Sequence, residues 1–236
     1  MIEIRPFSKM YQAKMDWLDT RHHFSFSDYY DESRMSWATL RVFNDDRIAP
    51  ESGFPPHRHD HMEIVTYILE GELTHRDSLG NVGVLRPGIV QRMSAGNGIM
   101  HAEFNASEKP LHLFQMWIFP ENRNIEASWE EKKIELEREK NKWIRLVAPD
   151  PKKGELRIHQ KAAFHVTKLD KGKTLTFTPH YSHQYVVVAE GKGKVNNQSL
   201  EEGDAAAIRG ETELSLTAHT PMHVVLWDLA DESESK

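Results

Sequence analysis

The sequence predicts an all-β chain built from two consecutive antiparallel β-barrels, and three observations carry that expectation. Short β-branched and aromatic runs, such as residues 64–73 and 185–195, recur between Gly-, Pro-, Asn- and Asp-bearing turns. Residues 111–120 are apolar almost throughout, the pattern of a strand covered on both faces. Residues 185–195 and 200–204 also echo residues 67–73 and 85–89, a degenerate internal repeat. A length of 236 residues accommodates either one large core or two modest ones, and the repeat favours two. The expected division is an amino-terminal barrel over 1–125, a charged connector over 126–143, a carboxy-terminal barrel over 144–230 and a polar, mobile tail over 231–236.

In order, Phe24, Phe26, Tyr29 and Tyr30 are expected to pack inward, residues 35–43 read as a strand, and Asn44-Asp45-Asp46 as the turn after it. Glu70-Gly71 and residues 77–81 punctuate the next strands, and Pro87-Gly88 precedes another. The mixed charges of residues 129–142 suit a solvated helical turn.

Residues 53–103 hold the chemistry. His57 and His59 are two apart, as are His101 and Glu103, and on a strand i and i+2 project from one face. Two strands therefore aim four donors at one point. Three imidazoles and a carboxylate suit iron, nickel, copper, zinc or manganese. His61 and Glu63 share the parity of His57 and His59, so spacing alone leaves a ligand set with Glu63 open; His61 reads as surface. Gln115 and Trp117, two apart on the apolar strand, are candidates for the cavity wall.

The order His57, His59, Glu63 and Gly71, followed by Pro87-Gly88 and a later histidine, resembles the two-part signature of the cupin superfamily. Gln91, Met93, Ala95, Gly96, Gly98, His101 and Glu103 are similar to the second motif of the pirin family. His23-Phe24-Ser25-Phe26, Tyr29-Tyr30-Asp31, Leu40-Arg41-Val42 and Asn44-Asp45-Asp46 resemble its amino-terminal signature. The resemblance is strong over roughly residues 15–120 and implies a bicupin, two jelly-roll domains in one chain. It also implies the ligand set His57, His59, His101 and Glu103, with Glu63 behind the ligands orienting an imidazole. The implied cofactor is a divalent transition metal, Fe(II) first, with Ni, Mn, Cu or Zn as alternatives. The implied activity is that of a quercetin 2,3-dioxygenase: a flavonol and dioxygen as substrates, the central ring opened with loss of carbon monoxide, and Glu103 as catalytic base as well as ligand. A second implication of the same resemblance is a non-enzymatic, iron-bound and redox-responsive partner of regulatory proteins. A metal-assisted isomerase of small sugars or acids would use the same scaffold, without a specific motif here.

In the second half, counting from Gly191 and Gly203 as the first half counts from Gly71 and Gly88 places Phe177, Pro179, Leu216 and Ala218 where ligands would stand. One metal per chain is expected, although His180, His183, His219 and His223 leave another assembly conceivable. A net charge of −6, from 30 basic and 36 acidic residues, gives no electrostatic basis for direct nucleic-acid binding. With no cysteine there is neither a disulfide framework nor a thiol nucleophile. No apolar run of membrane length and no secretory leader are seen, so a cytoplasmic protein away from membranes is expected.

Overall fold

A computed structural model describes residues 1–231 of the chain, leaving all but the first residue of the expected tail outside the described residues. Nearly all regular structure is strand, arranged as two similar halves, each a seven-stranded sheet with a four-stranded sheet. The sheets stay separate in a jelly-roll arrangement instead of closing into the expected continuous barrels. In the amino-terminal half the larger sheet runs Ser128–Lys133, Ile89–Ser94, Glu63–Glu70, Leu111–Ile118, Leu40–Ile48, Leu18–His22, Tyr11–Lys14. The smaller runs Ser52–His59, Ile99–Asn105, Leu73–Asp77, Val82–Leu85. The carboxy-terminal half repeats this order. Ile2–Arg5, Ala205–Arg209, His183–Glu190, Met222–Leu229, Ala162–Leu169, Ile144–Ala148 and Leu156–Arg157 form its larger sheet. Thr174–Phe177, Leu214–Ala218, Lys192–Val195 and Gln198–Glu201 form the smaller.

The apolar strand Leu111–Ile118 lies in mid-sheet between Leu40–Ile48 and Glu63–Glu70, which explains its lack of alternation. One face of the larger sheet packs on the larger sheet of the other half. Phe43, Tyr67, Phe114 and Met116 meet Phe164, Tyr185, Val225 and Trp227 in one buried cluster. Polar atoms there are paired across the halves: the Tyr67 hydroxyl lies 2.9 Å from His223 Nε2, and the Tyr185 hydroxyl 2.9 Å from His23 Nδ1. The opposite face meets the smaller sheet, with Leu18, Ile48, Ile68 and Leu111 against Leu73 and Leu85.

Three local expectations give way to tertiary pairing. Asn44, Asp45 and Asp46 lie inside the strand Leu40–Ile48 and not in a turn, because ladders to Leu18–His22 and Leu111–Ile118 outweigh the turn preference of Asn and Asp. Of the four amino-terminal aromatics only Phe24 is fully buried, while Tyr30 is 73% exposed. The division at residue 125 is crossed twice. Ile2–Arg5 pairs with Ala205–Arg209 in the distant half, its Ile2 and Ile4 packing on that half's apolar cluster. Within the span expected as connector, Ser128–Lys133 pairs with Ile89–Ser94, and only Leu136–Glu139 turns helically. Trp129 anchors that strand by donating its indole N–H to Gln91 at 2.7 Å.

The internal repeat is visible in the backbone. Gly71 and Gly191 both adopt positive φ, 79° and 85°, and a Cβ at either would strike a carbonyl oxygen, that of Pro110 or Pro221. The ladders refine the alignment. His57 faces His101 as Phe177 faces Leu214, and Glu103 faces His75 as Leu216 faces Val195. The second-half counterparts of His101 and Glu103 are therefore Leu214 and Leu216, not Leu216 and Ala218. Gly88 to His101 spans 13 positions and Gly203 to Leu214 spans 11, so a loop two residues shorter displaced the count. Among the described residues no helix is long and apolar enough to cross a membrane.

Candidate metal centre

His57 and His59 end the strand Ser52–His59, and His101 and Glu103 lie on its neighbour Ile99–Asn105. Gly53 is what allows these strands to approach closely: a Cβ there would sit 2.2 Å from the Glu103 carbonyl oxygen. Three imidazoles converge, with ring centroids 4.7 Å apart for His57 and His59, 4.4 Å for His57 and His101, and 4.8 Å for His59 and His101. Their donor atoms all lie within 4.8 Å of one another. Glu103 shares a second such group with His101 and His75.

The donor chemistry fits a cation. His57 Nδ1 lies 2.8 Å from the Pro55 carbonyl, which can only accept, so the proton is on Nδ1 and the Nε2 lone pair is free. His59 Nε2, both ring nitrogens of His101 and Glu103 Oε1 are buried with no hydrogen-bond partner. Unpaired buried polar atoms are rare, and three residues offering them at one place need a common partner. Burial, reinforced by the neighbouring imidazoles, holds His59 down at about 4 and His101 at about 3, so both rings are neutral and ready to ligate. Glu103 Oε2 accepts from Gln115 Nε2 at 2.6 Å, and Gln115 Oε1 accepts from the Trp117 indole at 3.3 Å. This chain fixes the carboxylate and leaves Oε1 unengaged.

His57, His59 and Glu103 border a cavity of about 160 Å³ that Gln115 and Trp117 both line, as their spacing led one to expect, together with Phe26 and Phe54. Thr20, His22, Asn44 and Asp46 also line it, from strands Leu18–His22 and Leu40–Ile48. Burial pushes Asp46 up to about 7, with the nearby carboxylates of Asp45 and Glu103 acting in the same direction. Burial also holds His22 at about 4, hence neutral. These four residues escaped sequence reading because Asn44-Asp45-Asp46 reads as a turn. The available signal was parity, since Asn44 and Asp46 are i and i+2 on one strand.

Glu63 does not orient a ligand imidazole. It is wholly buried and turned to the other half, where its carboxylate meets His159 Nδ1 at 3.3 Å and the His159 backbone N–H at 3.4 Å. His61 stands apart at positive φ, its Nδ1 3.2 Å from the Arg123 carbonyl. Behind the donors is His75, which no motif flagged: it is fully buried, stacks on Trp129 at 5.5 Å, and has Nε2 3.3 Å from Asp77. In the second half, Phe177, Leu214 and Leu216 pack together in an apolar cluster. Both donor groups found among the described residues lie in the first half. In the second half His183 sits 2.9 Å from the Ser182 hydroxyl and His223 lies in the contact with Tyr67.

The family model Pirin matches residues 4–118, and the model Quercetinase C-terminal cupin domain matches residues 145–229. A pirin-like protein of Caulobacter vibrioides is 40% identical over 232 residues, covering 98% of this chain and all of that one. A quercetin 2,3-dioxygenase of Escherichia coli is 36% identical over 231 residues, covering 97% and 99%. Among solved structures, the bacterial pirin YhhW of Escherichia coli in complex with nickel(II) superposes with a TM-score of 0.92 at 35% identity, covering 98% of this chain and 100% of that one. With two cupin-type domains and relatives matched along their whole length, this chain belongs to the pirin family.

Proposed function

We propose that this chain is a metal-dependent dioxygenase of the pirin type, opening the central ring of flavonols such as quercetin. The observation that carries the reading is the convergence of the His57, His59 and His101 imidazoles with Glu103, of which His59, His101 and Glu103 hold buried atoms without partners, beside a cavity walled elsewhere by aromatic and hydrogen-bonding groups. The names of the Escherichia coli relative and of the nickel-bound structure support it. We assign these four residues as ligands of one divalent transition metal per chain, Fe(II) first, with Ni, Mn, Cu or Zn as alternatives. When bound, the ion supplies a Lewis-acid seat for adjacent hydroxyl and ketone oxygens and access to dioxygen.

The chain's own residues do the rest. Glu103 is the base for the flavonol 3-hydroxyl proton, with its carboxylate held in place by the Gln115 amide. Phe26, Phe54 and Trp117 shield the reacting oxygens from water. The test is oxygen uptake and carbon monoxide release by the iron, nickel and manganese forms with quercetin. Absence of uptake across several flavonols by metal-replete protein would displace this reading in favour of a regulatory binding module.

A further inference from the structure

The cavity has a second wall that this chemistry leaves unused. Strands Leu18–His22 and Leu40–Ile48 pair Thr20 with Asp46 and His22 with Asn44, and Asn44 pairs in turn with Gln115 on Leu111–Ile118. Their side chains line the cavity from the larger sheet, while His57, His59 and Glu103 line it from the smaller. His22 and Asn44 are 5% and 4% exposed, yet His22 Nδ1 and Asn44 Oδ1 have no hydrogen-bond partner. Buried atoms left this way weaken the fold unless a bound group satisfies them.

The kind of group follows from charge and size. Asn44 Oδ1 is an unpaired acceptor and calls for a hydroxyl donor, and the Thr20 hydroxyl and Asp46 carboxyl beside it can exchange hydrogen bonds with hydroxyl groups. Among the described residues no Lys or Arg lines the cavity, so an anionic substituent there would face oxygen atoms with no cation to neutralise it. The volume of about 160 Å³ is close to that of an engineered cavity of roughly 150 Å³ that takes up benzene, and well short of the roughly 300–1,000 Å³ of sites for larger ligands. One six-membered ring fills it, and the rest of a larger substrate must lie outside.

We propose that Thr20, His22, Asn44 and Asp46 form a hydroxyl-reading wall that admits a single neutral, hydroxylated ring and rejects anionic ones. Substrates then share a head group, a hydroxy-ketone ring carrying a further hydroxyl, whatever is attached beyond the mouth. The inference rests on the metal-chelation half of the proposed function and not on ring opening.

The test uses the full, nickel-loaded chain and three 5-hydroxy-4-pyranones that differ only at C2, bearing methyl, hydroxymethyl or carboxylate. All present the same hydroxy-ketone pair to the metal, and binding is read by calorimetry. The hydroxymethyl compound should bind about tenfold tighter than the methyl one, as one added hydrogen bond allows. The carboxylate should bind at least about tenfold weaker than the hydroxymethyl compound. Asn44→Leu should reduce the hydroxymethyl advantage to about twofold or less at unchanged nickel content. Equal binding of the three probes, tighter binding of the carboxylate, or no binding of any would overturn the proposal. If selectivity holds but flavonols consume no oxygen, ring opening falls and the wall stands. Oxygen uptake with three indistinguishable probes would sink the wall alone.

Discussion

The two halves share one frame and fill it in opposite ways. Gly71 and Gly191 turn alike, and the strands follow in the same order. Yet where the first half faces His57 with His101, the second faces Phe177 with Leu214, and Leu216 stands for Glu103. Hydrophobic burial stabilises the second set, because Leu214 and Leu216 are each 2% exposed in a continuous apolar cluster. The first set is unfavourable without a ligand, since buried nitrogens and a carboxylate oxygen stand unpaired. A duplicated frame lets one copy carry stability while the other tolerates a site that weakens its own fold.

The contrast breaks most severely if metal binding does not depend on the first set. His101→Ala, and equally His57→Ala or His59→Ala, should take metal content from about one ion per chain to near background, since each removes one of few ligands. His61→Ala should leave it intact. Elemental analysis of protein purified without added metal decides this, and full occupancy in His101→Ala would refute the assignment.

Next in size is the base role. In metal-replete protein Glu103→Gln should lower flavonol turnover by about 10² to 10⁴, more than it lowers metal content, because the amide keeps a ligand oxygen and loses the base. Turnover that tracks occupancy would reduce Glu103 to a ligand.

Why the first set was readable and the wall beside it was not is a matter of spacing. His57 and His59, then His101 and Glu103, announce themselves by parity between glycine- and proline-bearing turns. Thr20, His22, Asn44 and Asp46 come together only through the pairing of Leu18–His22 with Leu40–Ile48, and no local pattern specifies that register. The exchange of strands between halves was hidden for the same reason. Ile2–Arg5 and Ser128–Lys133 are short, and what fixes them is a distant partner, Ala205–Arg209 in one case and Ile89–Ser94 in the other. Turn-forming residues misled where the ladder won, at Asn44-Asp45-Asp46.

A stability comparison sharpens the contrast. Leu216→Ala should destabilise the metal-free chain by about 2–5 kcal/mol, the usual loss for truncating a packed leucine. Glu103→Gln in the same metal-free chain should change stability by no more than about 1 kcal/mol, since it removes a buried charge while keeping shape. Denaturant titrations of the two variants should therefore differ clearly, and equal losses would mean that the first half packs as the second does.

The smallest effect expected is in acid. Burial holds His22, His59 and His165 at about 4 and His101 at about 3, below their ordinary 6.5, and it lowers His23 as well. Between pH 6.5 and 4 the unfolded chain therefore binds more protons than the folded one at these sites, so the metal-free protein should lose stability as pH falls through that window. Asp46 acts in the opposite sense: raised from 3.8 to about 7, it keeps a proton in the folded state, and its contribution is lost as pH rises toward 7. The two halves separate here. His165, packed edge-on to Phe177 at 5.0 Å, is the second half's share, and the other four histidines belong to the first. His165→Phe should remove about one proton of uptake from the pH dependence of unfolding and leave most of the acid sensitivity in place. Chemical denaturation of metal-free protein at a series of pH values measures it; if His165→Phe abolished the acid sensitivity altogether, the buried neutral histidines of the first half would not be its source.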